Sequence, residues 1–270
     1  MRYMDDPVRL RSSGRLTEAL EALVASGGEL STYDSALRGE IEFALGRFQD
    51  AALSYFSVVS SEPDNAKAHY NLALCLQKAG RWDTAAEVFQ LVLQLDSECS
   101  EARVGLGLCL LNLNRTEEAL GHFTQASDGE EGGPPLFGVA VALQLLNRFE
   151  EAKEVYEQLL ASDSNSEEVL SNLIAMGIDA NDLEEIRRHS QRLLDKQPRS
   201  LPALQGLATV ALEESETDEA ASYCDRILEV APDCLEAWHN FRIAMERQPL
   251  ESSLPQRSTP AIAVLSGRKQ

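Results

Sequence analysis

The 270 residues exceed the usual size of one globular core, yet no composition break before about residue 248 divides them, which favours one elongated array over two globules. Lysine and arginine number 24 against 44 acids, and the net charge of −20 argues against nucleic acid and anionic membrane as partners, leaving apolar or basic protein surfaces. With 44% apolar but only 6% aromatic residues, the interior has to be built from Leu, Ala and Val, a composition suited to packed helices.

Along the chain, Met1 to Leu16 is broken by Asp5 and Asp6, so no secretory signal is expected, and no run of about 18 apolar residues predicts a membrane span. From Ala19 onward one position repeats. Ala19, Ala51, Ala85, Ala119, Ala152, Ile186 and Ala220 follow one another at separations of 32, 34, 34, 33, 34 and 34 residues. Four residues beyond each stands Leu23, Tyr55, Phe89, Phe123, Tyr156, Ser190 or Cys224, one helical turn along the same face. A second small column, Gly39, Ala73, Gly107, Ala140, Ile174 and Ala208, precedes the first by about three turns. Small residues on two helices let their axes approach closely, with the neighbouring aromatic filling the space beside them.

Between the two columns lie Gly14-Arg15, Gly46-Arg47, Gly80-Arg81, Asn114-Arg115, Asn147-Arg148 and Asn181-Asp182. Gly and Asn tolerate the left-handed conformation that ends a helix. Acids such as Glu18, Asp83, Glu118, Glu151 and Glu219 follow, where the dipole of the next helix favours them. Pro63, Pro198 and Pro232 punctuate the connections onward.

The pattern Leu72, Ala73, Leu76, Gly80, Trp82, Ala85, Phe89 and Val92 resembles the tetratricopeptide repeat, with Ser97 where that family prefers Pro. The resemblance covers about residues 1 to 247. It implies an all-α fold, a right-handed α-solenoid of helix-turn-helix units with a concave groove lined by the first helix of each. The expected units are a degenerate 1–31, then 32–65, 66–99, 100–132, 133–166, 167–200 and 201–234, closed by a capping helix at 235–247 with Glu236, Arg242, Glu246 and Arg247 on its wet side.

Two units depart from the pattern. Asp128-Gly-Glu-Glu-Gly-Gly-Pro134 predicts an early end to the preceding helix and a flexible acidic loop. The 167–200 unit has Ile174, Ile186 and Ser190 where the others have small, small and aromatic, which predicts separated helices and a gap. Beyond about residue 248 the prolines and serines predict a disordered tail, residues 248–270. From residue 249 it carries Arg257, Arg268 and Lys269 against Glu251, a net of +2, which leaves −22 on the remainder. Within it the apolar run Ala261 to Leu265 is a candidate to occupy a groove of the same chain or of a neighbour, and self-association stays open.

No enzyme motif is present. His69, His122, His189 and His239 are scattered, the glycines sit at turns and close contacts, and the five cysteines follow no metal or redox spacing, so free thiols and no cofactor or metal are expected. Carrying over the family's groove columns nominates Tyr70, Leu74, Val104, Leu108, Leu111, Phe137 and Val141 as an apolar strip for a peptide or helix. Superhelical curvature that buried these residues against one another would remove that site. The reading is a non-catalytic, cytoplasmic interaction module, adaptor or assembly scaffold. The alternatives are a cytosolic chaperone for an export or assembly client, or a regulatory or substrate-presenting subunit of an enzyme complex.

Overall fold

The computed structural model describes residues 6–25, 30–127, 133–162 and 166–247. Among them the chain forms fifteen α-helices and no strand, and it divides into two compact units, residues 1–169 and 170–270. The expected acidic loop at 128–132, the expected tail from 248 and the run Ala261 to Leu265 lie outside the described residues.

The first unit starts with a short helix, α1 (Pro7–Ser12), and α2 (Leu16–Ala25). Four longer hairpins follow: α3 (Thr32–Ala44) with α4 (Phe48–Ser61), α5 (Ala66–Lys78) with α6 (Trp82–Leu95), α7 (Ser100–Asn112) with α8 (Thr116–Ser127), and α9 (Pro134–Leu145) with α10 (Phe149–Ser162). Each helix packs on the one before it, and the first helices α5, α7 and α9 also touch in succession. Helix α8 has 12 residues where α4, α6 and α10 have 14, so it stops early ahead of the glycine-rich stretch.

The reason for this regularity lies in the turns. Gly46 and Gly80 take φ of 73° and 75°, and Asn114 and Asn147 take 58° and 59°. In each turn the next residue's amide donates back five residues, as Arg81 N does to Leu76 O at 2.9 Å and Arg115 N to Leu110 O at 2.9 Å. That pairing satisfies carbonyls that a helix end leaves orphaned. The turn arginines then reach forward: the Nε of Arg115 and Arg148 donate to Glu118 and Glu151 at 2.7 and 2.8 Å. Such exposed pairs contribute little stability but fix the first turn of the second helix.

Between helices the small and aromatic columns interlock. A Cβ at Gly39 would stand 2.8 Å from the Tyr55 ring, and one at Gly107 would stand 2.7 Å from Phe123. A Cβ at Gly105 or Gly138, on the following hairpin, would come within 2.4 Å of Phe89 or Phe123, so the Phe123 ring ties two consecutive hairpins together. Ala73, Ala85, Phe89 and Val92 are buried, as are the free thiols Cys75 and Cys109. Burial pushes both thiols up to about 12, so they stay protonated and act as small apolar groups.

Helix α11 (Glu167–Ala180) leads into the second unit, which continues with α12 (Leu183–Lys196), α13 (Leu201–Glu213), α14 (Thr217–Val230) and α15 (Leu235–Arg247). Ile174, Ile186 and Ser190, the residues at which a gap is expected, are all buried. Gly206 on α13 lies against Ser190, and a Cβ there would also meet Ile174 and Ile186 at 3.0 and 3.1 Å.

Helix α15 departs from the expected polar outer side. Its exposed side is not wholly polar, because Leu235, Trp238 and Met245 stand on it with Glu236, Arg242 and Glu246.

Candidate functional site

Helices α5, α7 and α9 give the first unit a half-buried apolar face. Tyr70 and Leu74 from α5 meet Val104 and Leu108 from α7 around a pocket of about 350 Å³, whose rim includes Gln77, Glu101, Pro134 and Pro135. Leu108 remains 42% exposed, and Tyr70, Leu74, Val104, Leu111, Phe137 and Val141 are all partly exposed. Curvature therefore does not seal these side chains from solvent. Phe137 lies in a neighbouring pocket of about 380 Å³ with Pro134, Leu159, Glu168 and Val169. A third pocket, of about 270 Å³, is lined by Glu40, Phe43, Tyr55, Lys67, Asn71 and Leu74. Leu111 and Val141 line none of these three.

The pockets form a series, since Leu74 belongs to the first two along the chain and Pro134 to the last two. Their walls rest on the core. The Tyr70 ring stands edge-on to buried Phe89 with centroids 6.0 Å apart, and Phe137 stands in the same way on Tyr156 at 6.0 Å. Tyr156 donates in turn to Gln144 Oε1 at 3.0 Å. The Gln77 amide, in a pocket wall, donates to Gly105 O at 3.4 Å and so joins α5 to α7.

Each pocket combines this apolar lining with one glutamate: Glu40, Glu101 and Glu168. Arg11 already pairs with Glu40. Burial first, then the Glu101 carboxylate, raises the Tyr70 phenol above its ordinary value, so it remains a hydrogen-bond donor at neutral pH. The resemblance to the family's groove columns indicated Tyr70, Leu74, Val104, Leu108 and Phe137. It gave no sign of Pro134, Pro135, Leu159 or Val169, which enter from a helix start, a second helix and the next repeat.

The histidines serve separate local contacts. His69 Nε2 lies 2.8 Å from Pro63 O, and His189 Nε2 lies 2.9 Å from Glu185. Among the described residues no group of three or more His, Cys, Asp or Glu is placed to hold a metal ion. No helix there is long and apolar enough to cross a membrane.

With this geometry in view, the comparisons define the class. The tetratricopeptide repeat family model matches residues 36–98 and 76–132, and the model for the coatomer epsilon subunit matches residues 117–225. Human tetratricopeptide repeat protein 7A is 28% identical over 123 residues, which are 45% of this chain and 14% of that protein. The chain thus spans about a seventh of that relative's length. Among solved structures, a tetratricopeptide repeat protein from Parabacteroides merdae superposes with a TM-score of 0.65 at 17% identity, over 88% of this chain and 96% of that one. YrrB, another such protein, superposes with a TM-score of 0.58 at 18% identity, over 71% of this chain and 99% of that one. These likenesses show the fold, an all-α tetratricopeptide solenoid. Residues 36–132 match the tetratricopeptide repeat family model, and the fold is that of tetratricopeptide repeat proteins. That fold carries protein–protein interaction and scaffold roles, and its members are generally non-catalytic.

Proposed function

We propose that the face formed by α5, α7 and α9 docks a peptide or helix of a protein partner, and that the chain acts as an adaptor or assembly scaffold without chemistry of its own. The observation that carries this reading is the series of three pockets linked through Leu74 and Pro134. A linear ligand with apolar side chains at intervals would fill successive pockets, as helix-in-groove and strand-like ligands do. Glu101 and Glu168 beside the apolar walls favour basic residues between those anchors, and the net charge of −20 would steer such a ligand in. YrrB, which shares the fold, is a tetratricopeptide repeat protein with an unusual peptide-binding site. The match of residues 117–225 to a coatomer subunit model supports a place within a multi-protein assembly over a role in regulating one enzyme.

Peptide display against the immobilised full chain tests the reading. Selection is expected to enrich sequences that combine large apolar residues with Lys or Arg. Leu108→Glu, with its helix content checked by circular dichroism, is expected to lose those sequences. Equal recovery by both proteins would contradict the proposal.

A further inference from the structure

Helix α15 occupies the place of a first helix, and no second helix follows it among the described residues. Ala237 and Ala244 are buried on the side that meets α13 and α14. On another face Leu235 is 83% exposed, Trp238 53% and Met245 38%. Phe241 adjoins Trp238 edge to face, with centroids 6.4 Å apart at 83°, and the Trp238 indole N–H donates to Pro232 O at 3.0 Å, which fixes the ring. The residues 34 positions earlier on α13, equivalent to Trp238, Phe241 and Met245, are Leu204, Leu207 and Ala211, and all three are buried in a helix that α14 packs against. The open strip on α15 is therefore an inner face that no described residue covers.

We propose that the cover is a segment of this same chain, the apolar run Ala261 to Leu265. The repeat places a second helix 16 residues after the start of the first, as from Leu201 to Thr217, which here gives Glu251. Pro255 and Pro260 fall inside that stretch, where each removes an amide donor and clashes with the turn before it. Arg242 stands in the column that holds Gly39, Ala73, Gly107, Ala140 and Ala208, whose small side chains allow close helix approach. Its guanidinium turns to Glu246 at 2.7 Å and borders the strip with charge. The charged Arg242 side chain leaves no room for the close helix approach that the small residues of this column allow elsewhere.

Reach, size and charge favour this occupant. The 14 residues from Arg247 to Ala261 span up to ~46 Å, against ~20 Å for the whole of α15, so the segment can fold back over the strip. A strip ~20 Å long and ~10 Å wide offers about 200 Å², well short of the ~800 Å² per partner of a stable interface between separate molecules. A tethered segment needs far less area, because its effective concentration is on the order of millimolar. Residues 249–270 carry a net of +2 against −22 on the rest of the chain.

Trp238 reports the contact. In the full chain with Trp82→Phe, Trp238 emission and its quenching by acrylamide are compared with and without Ile262→Asp and Val264→Asp together. The double variant is expected to shift the emission to the red and raise the quenching constant, with the same difference at every protein concentration. If Trp82→Phe disturbs folding, the two proteins are compared with Trp82 retained, which adds the same background to each. Identical emission and quenching would overturn the proposal. Shielding that disappears on dilution would also overturn it, by giving the face to a second copy.

Discussion

Ser215 is the turn residue whose backbone is least suited to its side chain. It takes φ of 62° in the turn between α13 and α14, the conformation that Gly14, Gly46, Gly80, Asn114, Asn147 and Asn181 adopt at their own helix ends. A β-carbon in this region costs about 1–2 kcal/mol, which Asn offsets in part through local hydrogen bonds of its side chain. Ser215→Gly is therefore expected to stabilise the chain by about 0.5–1 kcal/mol, after the larger chain entropy of glycine is counted, while a β-branched residue there destabilises it. The midpoint of urea unfolding reads both changes. The amide of Glu216 still donates to Ala211 O at 2.8 Å, so the turn closes like the others and only its conformational strain differs.

At the scale of helices, contacts between hairpins depend on glycines under aromatic rings. Gly105→Ala or Gly138→Ala would drive a methyl group into Phe89 or Phe123, and each is expected to destabilise the chain by roughly 1–3 kcal/mol through overpacking. Gly121, within α8, has open space around its α-carbon, and Gly121→Ala is expected to stabilise by up to about 1 kcal/mol through helix propensity alone. Thermal unfolding of the three variants separates the two effects. These contacts also explain what was legible in the sequence. Ala85 and Phe89 reveal themselves because a small residue and an aromatic one turn apart recur at a fixed period, and Gly80 or Asn114 because few residues accept a left-handed turn. Ser215 carries no such mark. In the 167–200 repeat the columns do not reveal that Gly206 on α13 lies against Ser190 on α12, because that contact joins successive repeats. On α15, charged residues alternate with Trp238 and Met245, and sequence alone does not say which of them lack a cover. At the candidate site the first-helix columns identify Tyr70, Leu74, Val104 and Leu108, whereas Pro134 and Val169 reach the pockets through chain geometry that periodicity does not encode.

For the whole molecule, adhesion in general differs from recognition at a place. An acidic helical protein with exposed apolar residues can hold a basic, apolar peptide anywhere on its surface. Leu53 on α4 is 69% exposed, more than Leu108 at 42%, and lies outside the three pockets. Unspecific adhesion would follow exposure and favour Leu53, whereas docking in the series of pockets would favour Leu108. The most direct measurement places a photo-crosslinking phenylalanine derivative at Leu108 or at Leu53 of the full chain and compares the yield with a display-selected peptide. The account predicts a strong cross-link from position 108, suppressed by excess unlabelled peptide, and little from position 53. Equal yields, or a stronger cross-link from position 53, would contradict it.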